Sequence, residues 1–174
     1  FSEERRSGTL ELLLTKPLTL WQIILGKYIG VMLLVLIVFL TTFIYLFPLY
    51  DLKLNTFSLD WGSTFISYLG LILVSSVFIA MGLLSSLLTK SQVTAFMLAL
   101  ILCFIQFFLW KGIADLMLDS MTYNLFNQLG IFEHYQRLRQ GLISIKDLIY
   151  FMALNLVLLR LSSLVLLRIK NKGW

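Results

Sequence analysis

Charged residues are scarce in this chain. Asp, Glu, Lys and Arg together make up 13% of the 174 residues, whereas hydrophobic residues make up 59%. Mean hydropathy is +0.91. A soluble domain of this length needs much more polar surface to cover its core. The shortage of charge therefore excludes an ordinary soluble protein and predicts one that uses the lipid bilayer as its solvent.

Reactive side chains are equally few. The only cysteine, Cys103, lies in an apolar run and is interpreted as a packed thiol, because one cysteine cannot form an internal disulfide. The only histidine, His134, follows Glu133 but has no second ligand at metal-site spacing, so we interpret it as an interfacial side chain. The chain has no Gly-rich phosphate-binding loop and no paired acids deep in an apolar run. It is predicted to be no enzyme and to hold no cofactor or metal itself.

Long apolar runs dominate what remains. They are continuous rather than alternating, which favours transmembrane helices over a barrel. Residues 28–50 carry no formal charge, and at about 1.5 Å per residue they cover ~34 Å, more than the ~30 Å hydrocarbon core. The predicted fold class is an all-α integral membrane protein forming one domain over residues 1–174. Its four predicted transmembrane helices are 18–50, 61–89, 91–111 and 145–168.

Small residues and one charge interrupt the predicted spans. Gly26 and Gly30 form a GxxxG pair in the first span and Gly82 lies in the second, so all three are predicted helix-packing positions, within one subunit or between two. Arg160 lies in the fourth span, about 12 Å inside Arg168. A charge there either snorkels to the interface or faces a partner helix or a substrate path. Arg160 is therefore a candidate functional charge.

The segment 112–144 is too polar to span the bilayer. Its apolar residues at helical spacing are Ile131, Tyr135, Leu138 and Leu142. This pattern predicts an amphipathic helix, which either seals a cavity on the outer side or lies on the membrane. Gly141 is predicted to end this helix, and Ser144 with Asp147 is predicted to form a capping box that starts the last span.

Basic residues are distributed unevenly between the ends of the spans. Residues 1–27, Lys90 and the tail 169–174, with Arg168 beside it, contain eight basic and three acidic residues; the other ends contain five and six. The positive-inside rule therefore places both termini in the cytoplasm, with 112–144 on the outer face of the cytoplasmic membrane. Because these basic residues flank apolar spans, the net charge of +5 is explained by anionic lipid headgroups and not by nucleic acid.

Residues 1–17 have a mixed composition. They combine a cluster of acidic and basic residues (3–6), a Gly8–Thr9 helix start and leucines at 12–14, with a short amphipathic helix predicted over 9–14. Pro17 is predicted either to end this helix or to start the next one, with Thr15 as the cap of that second helix. The segment is either a solvated loop that only sets topology or a surface that docks into a protein groove. The leucine patch favours docking, since topology requires only positive charge.

Two segments resemble a known family. The first resembles the cytoplasmic loop of ABC-2 type permeases, with the pattern E-E-x-x-x-G-T-x-E-x-L-L-x-x-P followed by L-G-K. The matching residues are Glu3, Glu4, Gly8, Thr9, Glu11, Leu13, Leu14, Pro17, Leu25, Gly26 and Lys27. The second, residues 132–151, is similar to the segment before the last span in the gliding-motility (GldF-like) branch of that family.

The resemblance implies a six-span permease subunit of an exporter, possessing two further spans before Phe1, so that this chain would be an N-terminally truncated piece. It also implies a coupling helix that docks on a separate ATP-binding subunit, which carries the ATP and Mg, and a second permease subunit, identical or different. The polar segment before the last span would partly dip back into the membrane from the outer face. The implied coupling residues are Glu3, Glu4, Gly8, Thr9 and Glu11. The alternative is a non-transporting membrane anchor or scaffold that recruits a cytoplasmic ATPase.

Overall fold

The computed structural model describes residues 1–15, 17–46, 48, 60–116 and 120–171. The helices in this part of the chain are α1 (Ser2–Ser7), α2 (Thr9–Leu14), α3 (Leu20–Phe43), α4 (Trp61–Leu88), α5 (Gln92–Asp115), α6 (Ser120–Leu129), α7 (Ile131–Arg139) and α8 (Ile145–Asn171). No strand occurs among these described residues. The prediction of an all-α fold is confirmed. The predicted end of the first span at residue 50 and the tail residues 172–174 lie outside the described residues.

Four of the helices are long and apolar enough to cross a bilayer. Helices α3, α4, α5 and α8 have 24, 28, 24 and 27 residues, so at about 1.5 Å per residue each exceeds the ~30 Å core. The predicted number of four spans is confirmed. Helix α2 confirms the short helix predicted over 9–14, and Gly141, at φ 79°, confirms the predicted stop after α7.

The first span, α3, starts at Leu20 and not directly at or after Pro17. Thr19 is the N-cap of α3: its hydroxyl accepts a hydrogen bond from the Gln22 amide at 3.3 Å, and the Gln22 side chain accepts one from the Thr19 amide at 2.9 Å. This reciprocal pair is a capping box. The predicted cap at Thr15 is wrong, because the Thr15 amide bonds to Glu11 and so closes α2.

Helix α4 is the centre of the bundle. Nine of its residues are buried, compared with two on α3. The buried residues of α4 include the small side chains Ser76, Ala80 and Ser85, which let neighbouring helix backbones approach closely. Helices α3, α5 and α8 pack around α4. The remaining faces of those three helices are apolar and exposed, as expected for helices that contact lipid or another subunit.

Candidate functional site

The α1–α2 loop, residues 2–15, turns sharply at Gly8. Gly8 has φ 74° in the left-handed region, where it ends α1 and precedes α2. A Cβ placed there would meet nothing within 4 Å, so backbone conformation and not space requires glycine. The hydroxyls of Ser7 and Thr9 lie 2.9 Å apart across the turn. The Gly-Thr pair of the sequence motif therefore builds the corner between the two short helices.

Helix α1 is bonded to the ends of two spans. The Glu4 carboxylate forms an ion pair with Lys27, which lies on α3. The Arg5 guanidinium donates a hydrogen bond of 2.6 Å to the carbonyl of Leu87, in the last turn of α4. Carbonyls in a last turn lack partners within their helix and attract cations. The loop is thus attached to α3 through an acidic residue and to α4 through a basic one.

The five predicted coupling residues separate into two groups. Glu3, Gly8, Thr9 and Glu11 are exposed, whereas Glu4 is half-buried because of its contact with α3. Leu12 is also exposed, with 68% of its surface accessible, while Leu10 is fully buried against the spans. The loop therefore exposes Glu3, Glu11 and Leu12, with Arg6 also exposed, and is anchored by Leu10. Sequence reasoning missed Arg5 as a contact, because its partner is a main-chain carbonyl 82 residues away.

A cleft of about 620 Å³ opens between the α1–α2 loop and the adjacent ends of α4 and α8. Its lining residues are Glu4, Arg5, Gly8, Leu10, Glu11, Leu87, Leu88, Lys90, Val165, Arg168 and Ile169. Among the described residues, Glu4 Oε2 is the one buried side-chain oxygen or nitrogen without a hydrogen-bond partner. Buried polar atoms are nearly always bonded. The cleft therefore contains an unused acceptor, and its lining includes three basic side chains, Arg5, Lys90 and Arg168.

A second polar cluster lies at the opposite end of the bundle, around Asp147 of α8. Asp147 is fully buried, and its Oδ1 lies 2.6 Å from His134 Nδ1 and accepts a bond of 2.5 Å from Arg137. His134 Nε2 lies 2.9 Å from the Gln128 carbonyl, and the imidazole stacks on Tyr150 with ring centroids 3.9 Å apart. The cluster joins α7 to the start of the last span. The hydrogen bond to Asp147 also raises the pKa of Arg137, so the guanidinium stays charged.

This cluster bears on two predictions about the segment before the last span. His134, interpreted as an interfacial side chain without a ligand role, is buried and pairs with Asp147. The predicted capping box is wrong because the Asp147 carboxylate points to His134 and Arg137 instead of the Ser144 amide. Ser144 alone caps α8, accepting a hydrogen bond from the Lys146 amide at 3.3 Å. The predicted apolar stripe is buried at Leu138 but exposed by 59% at Leu142, which lies beyond the helix.

Helix α5 also contacts this end, through a π-helical turn at Ile105–Leu109. Gln106 in that turn donates to the Leu129 carbonyl at 3.1 Å and to the Tyr150 hydroxyl at 3.0 Å, and it accepts from Trp110 at 3.1 Å. Such π-turns inside α-helices re-aim side chains at functional or structural contacts. Here the turn connects the third span to both α6 and α8.

The three glycines predicted to pack helices have no close neighbour in the described chain. A Cβ added at Gly26, Gly30 or Gly82 would meet no described atom of another element within 4 Å. Packing of these glycines within the subunit, which was one of the two predicted possibilities, is therefore absent from the described residues.

Close helix contact occurs at other glycines. A Cβ at Gly70 of α4 would lie 3.0 Å from Leu138 Cβ, and one at Gly141 would lie 2.8 Å from the Ser63 hydroxyl. Both contacts hold the α7 region against α4.

Arg160 reaches from α8 to α3. Its guanidinium carbon lies 4.6 Å from the ring centroid of Trp21, the second residue of α3. This geometry is a cation–π contact. The charge therefore points along its span toward the end where α3 begins, and it contacts a helix of its own chain.

These features define the class and then the family of the protein. Four long apolar helices, three of them around a central one, make the chain a multi-pass helical membrane protein. A family model described as ABC-2 family transporter protein matches residues 1–169, so the chain belongs to that family. A search of curated proteins and a search of solved structures each found no match. The chain is therefore the membrane component of an ABC-2 transporter, a class typically without catalytic activity that works with an ATP-binding subunit.

Proposed function

We propose that this chain is the permease subunit of an ABC-2 exporter in the cytoplasmic membrane, and that the α1–α2 loop couples it to ATP hydrolysis on a partner subunit. One observation carries the proposal: α1 is bonded directly to the ends of α3 and α4, while the outer face of the loop stays open to a partner. The excess of basic residues at this end supports its cytoplasmic location.

The mechanism assigns separate roles to the two faces of the loop. Glu3, Glu11 and Leu12 dock on the ATP-binding subunit, because they combine exposed negative charge with an exposed apolar side chain. The Glu4–Lys27 and Arg5–Leu87 contacts transmit its movement to α3 and α4. A part-exposed ion pair is worth about 0–1 kcal/mol. It can therefore break and re-form during each cycle without a large barrier.

Among the described residues, the small side chains along α4 are covered by helix packing and do not line an open path. Its small residues Ser76 and Ser85 are buried, and Gly70 is in close contact with Leu138. We place the path at the seam with a second permease subunit, in keeping with the open Gly26, Gly30 and Gly82. The resemblance of residues 132–151 supports membership in the gliding-motility branch, and gene deletion followed by a surface-motility assay tests that point.

Co-purification of the full-length permease with its ATP-binding subunit tests the docking role. The Glu3→Arg, Glu11→Arg double variant reverses two exposed charges of the loop, so we expect it to retain less than a tenth of the ATP-binding subunit. The matched control is Asp115→Arg, which reverses an exposed charge at the opposite end of the bundle. Equal recovery with the double variant and with the control contradicts the docking role.

A further inference from the structure

Helices α3 and α8 leave a groove of about 610 Å³ between them on the lipid-facing side of the bundle. Its lining residues are Trp21, Leu25, Tyr28, Met152, Asn155, Leu156, Leu159 and Arg160. The three lining residues of α3 are at positions 21, 25 and 28, and the five of α8 are at positions 152, 155, 156, 159 and 160. Spacings of three and four residues place each set on a single face of its helix. The groove follows the helices from the end of the bundle into the apolar span.

One end of the groove carries a cation. The Arg160 side chain is exposed, and its guanidinium sits over Trp21 in the first turn of α3. Tryptophan is enriched where a span meets the headgroup layer, and arginine side chains snorkel to that level. No described carboxylate lies within ion-pair distance of Arg160. The mouth of the groove therefore presents an unneutralised positive charge at the depth of lipid headgroups.

The deeper part of the groove offers apolar surface alone. Tyr28 donates its hydroxyl to the Asn155 side-chain oxygen at 3.1 Å, and the Asn155 amide donates to Ser76 at 2.7 Å and to the Phe151 carbonyl at 3.0 Å. These donors are engaged within the protein, so they do not attract a polar ligand. Met152 and Leu156 beside them remain 69% and 59% exposed. The groove thus has a cationic mouth and an apolar floor.

From this arrangement we propose that the α3–α8 groove binds an anionic phospholipid. The lipid phosphate contacts the Arg160 guanidinium at the mouth, and an acyl chain lies along Leu25, Met152 and Leu156. Charge complementarity selects this occupant, because a second copy of the chain would have to bring a carboxylate to Arg160 inside the membrane. A zwitterionic lipid supplies a phosphate too, but its ammonium group opposes the arginine. The proposal is independent of the coupling role of the α1–α2 loop and of the orientation in the membrane.

Fluorescence quenching in vesicles tests the groove directly. In the full-length protein, Trp61, Trp110, Trp174 and every tryptophan outside residues 1–174 are replaced by Phe, so that Trp21 is the emitter. The protein is reconstituted with phosphatidylglycerol or phosphatidylcholine brominated on the acyl chains. We expect brominated phosphatidylglycerol to be preferred about fivefold, the effect of one favourable basic residue near anionic lipid. Arg160→Gln should lower the preference to about one, and Arg160→Lys should keep most of it.

Two controls make the result specific. Lys111 also lies over an aromatic ring, 4.1 Å from the Phe132 centroid, but it is on α5 and does not line the α3–α8 groove. Lys111→Gln should therefore leave the lipid preference unchanged. Soluble glycerol phosphate should not displace the lipid, because it lacks the acyl chain. Equal binding of both lipids, a preference that survives Arg160→Gln, displacement by glycerol phosphate, or no quenching by either lipid each overturns the proposal.

Discussion

The two ends of the bundle are held together in different ways. At one end the α1–α2 loop is anchored by the buried side chain of Leu10, and its polar contacts with the spans are a half-exposed ion pair, Glu4–Lys27, and one hydrogen bond from Arg5. At the other end Asp147 is fully buried and bonded to His134 and Arg137. Exposed pairs contribute about 0–1 kcal/mol, whereas removing one partner of a buried pair costs ~3–5 kcal/mol.

This contrast indicates where the molecule moves. Weak, solvent-accessible contacts open at low free-energy cost, and moving elements are drawn from such regions. The buried cluster fixes α7 to α8, and Gly70 lets α7 sit tightly on α4. We infer that the loop end is the movable end and that the Asp147 end is the fixed one. The three predictions that follow test this difference, from the largest effect to the smallest.

Replacing Asp147 should produce the largest loss of stability. Asp147→Ala leaves His134 and Arg137 without their shared acceptor, so we expect a loss of about 3–5 kcal/mol. Thermal unfolding in detergent, followed by intrinsic fluorescence, measures it. Ser144→Ala, which removes only one exposed hydrogen bond of the same helix start, is the control. A loss for Asp147→Ala no greater than for Ser144→Ala would show that the cluster does not fix this end.

Replacing Gly8 should have an intermediate effect. Gly8→Ala places a side chain at φ 74°, which costs about 1–2 kcal/mol for a residue other than glycine. The strain falls on the corner between α1 and α2, so ATPase stimulation in the assembled transporter should fall more than thermal stability does. Gly82→Ala, at an open position with ordinary helical backbone, should leave monomer stability unchanged. Full ATPase stimulation with Gly8→Ala would show that the turn between α1 and α2 is not required for coupling.

Breaking the Glu4–Lys27 pair should change stability least. Glu4→Gln removes a half-exposed ion pair, so the expected loss is below about 1 kcal/mol. Docking of the ATP-binding subunit should persist because Glu3 and Glu11 are untouched, while substrate-stimulated ATP hydrolysis should drop severalfold. Lys27→Gln should give the same phenotype. If either variant loses docking instead of stimulation, the division between docking and transmitting residues is wrong.

The sequence was sufficient for the spans and the short helix α2, because apolar length and local pattern determine them. It was insufficient where a partner lies far along the chain. The Arg5 contact with Leu87 and the burial of His134 against Asp147 depend on how helices pack, and no local pattern encodes them. The start of α3 was readable from Thr19 and Gln22, a capping-box spacing, but the span was predicted to start at residue 18, directly after Pro17 and two residues too early.

Photo-crosslinking from Leu12 tests the central claim most directly. A photoreactive amino acid at Leu12, which is 68% exposed, sits on the outer face of the α1–α2 loop, and one at Ile143, which is 52% exposed, sits at the other end of the bundle. In membranes that contain the whole transporter, we predict an adduct with the ATP-binding subunit from position 12 and none from position 143. An adduct from position 143 alone, or none from position 12 while the complex is intact, would contradict the coupling role.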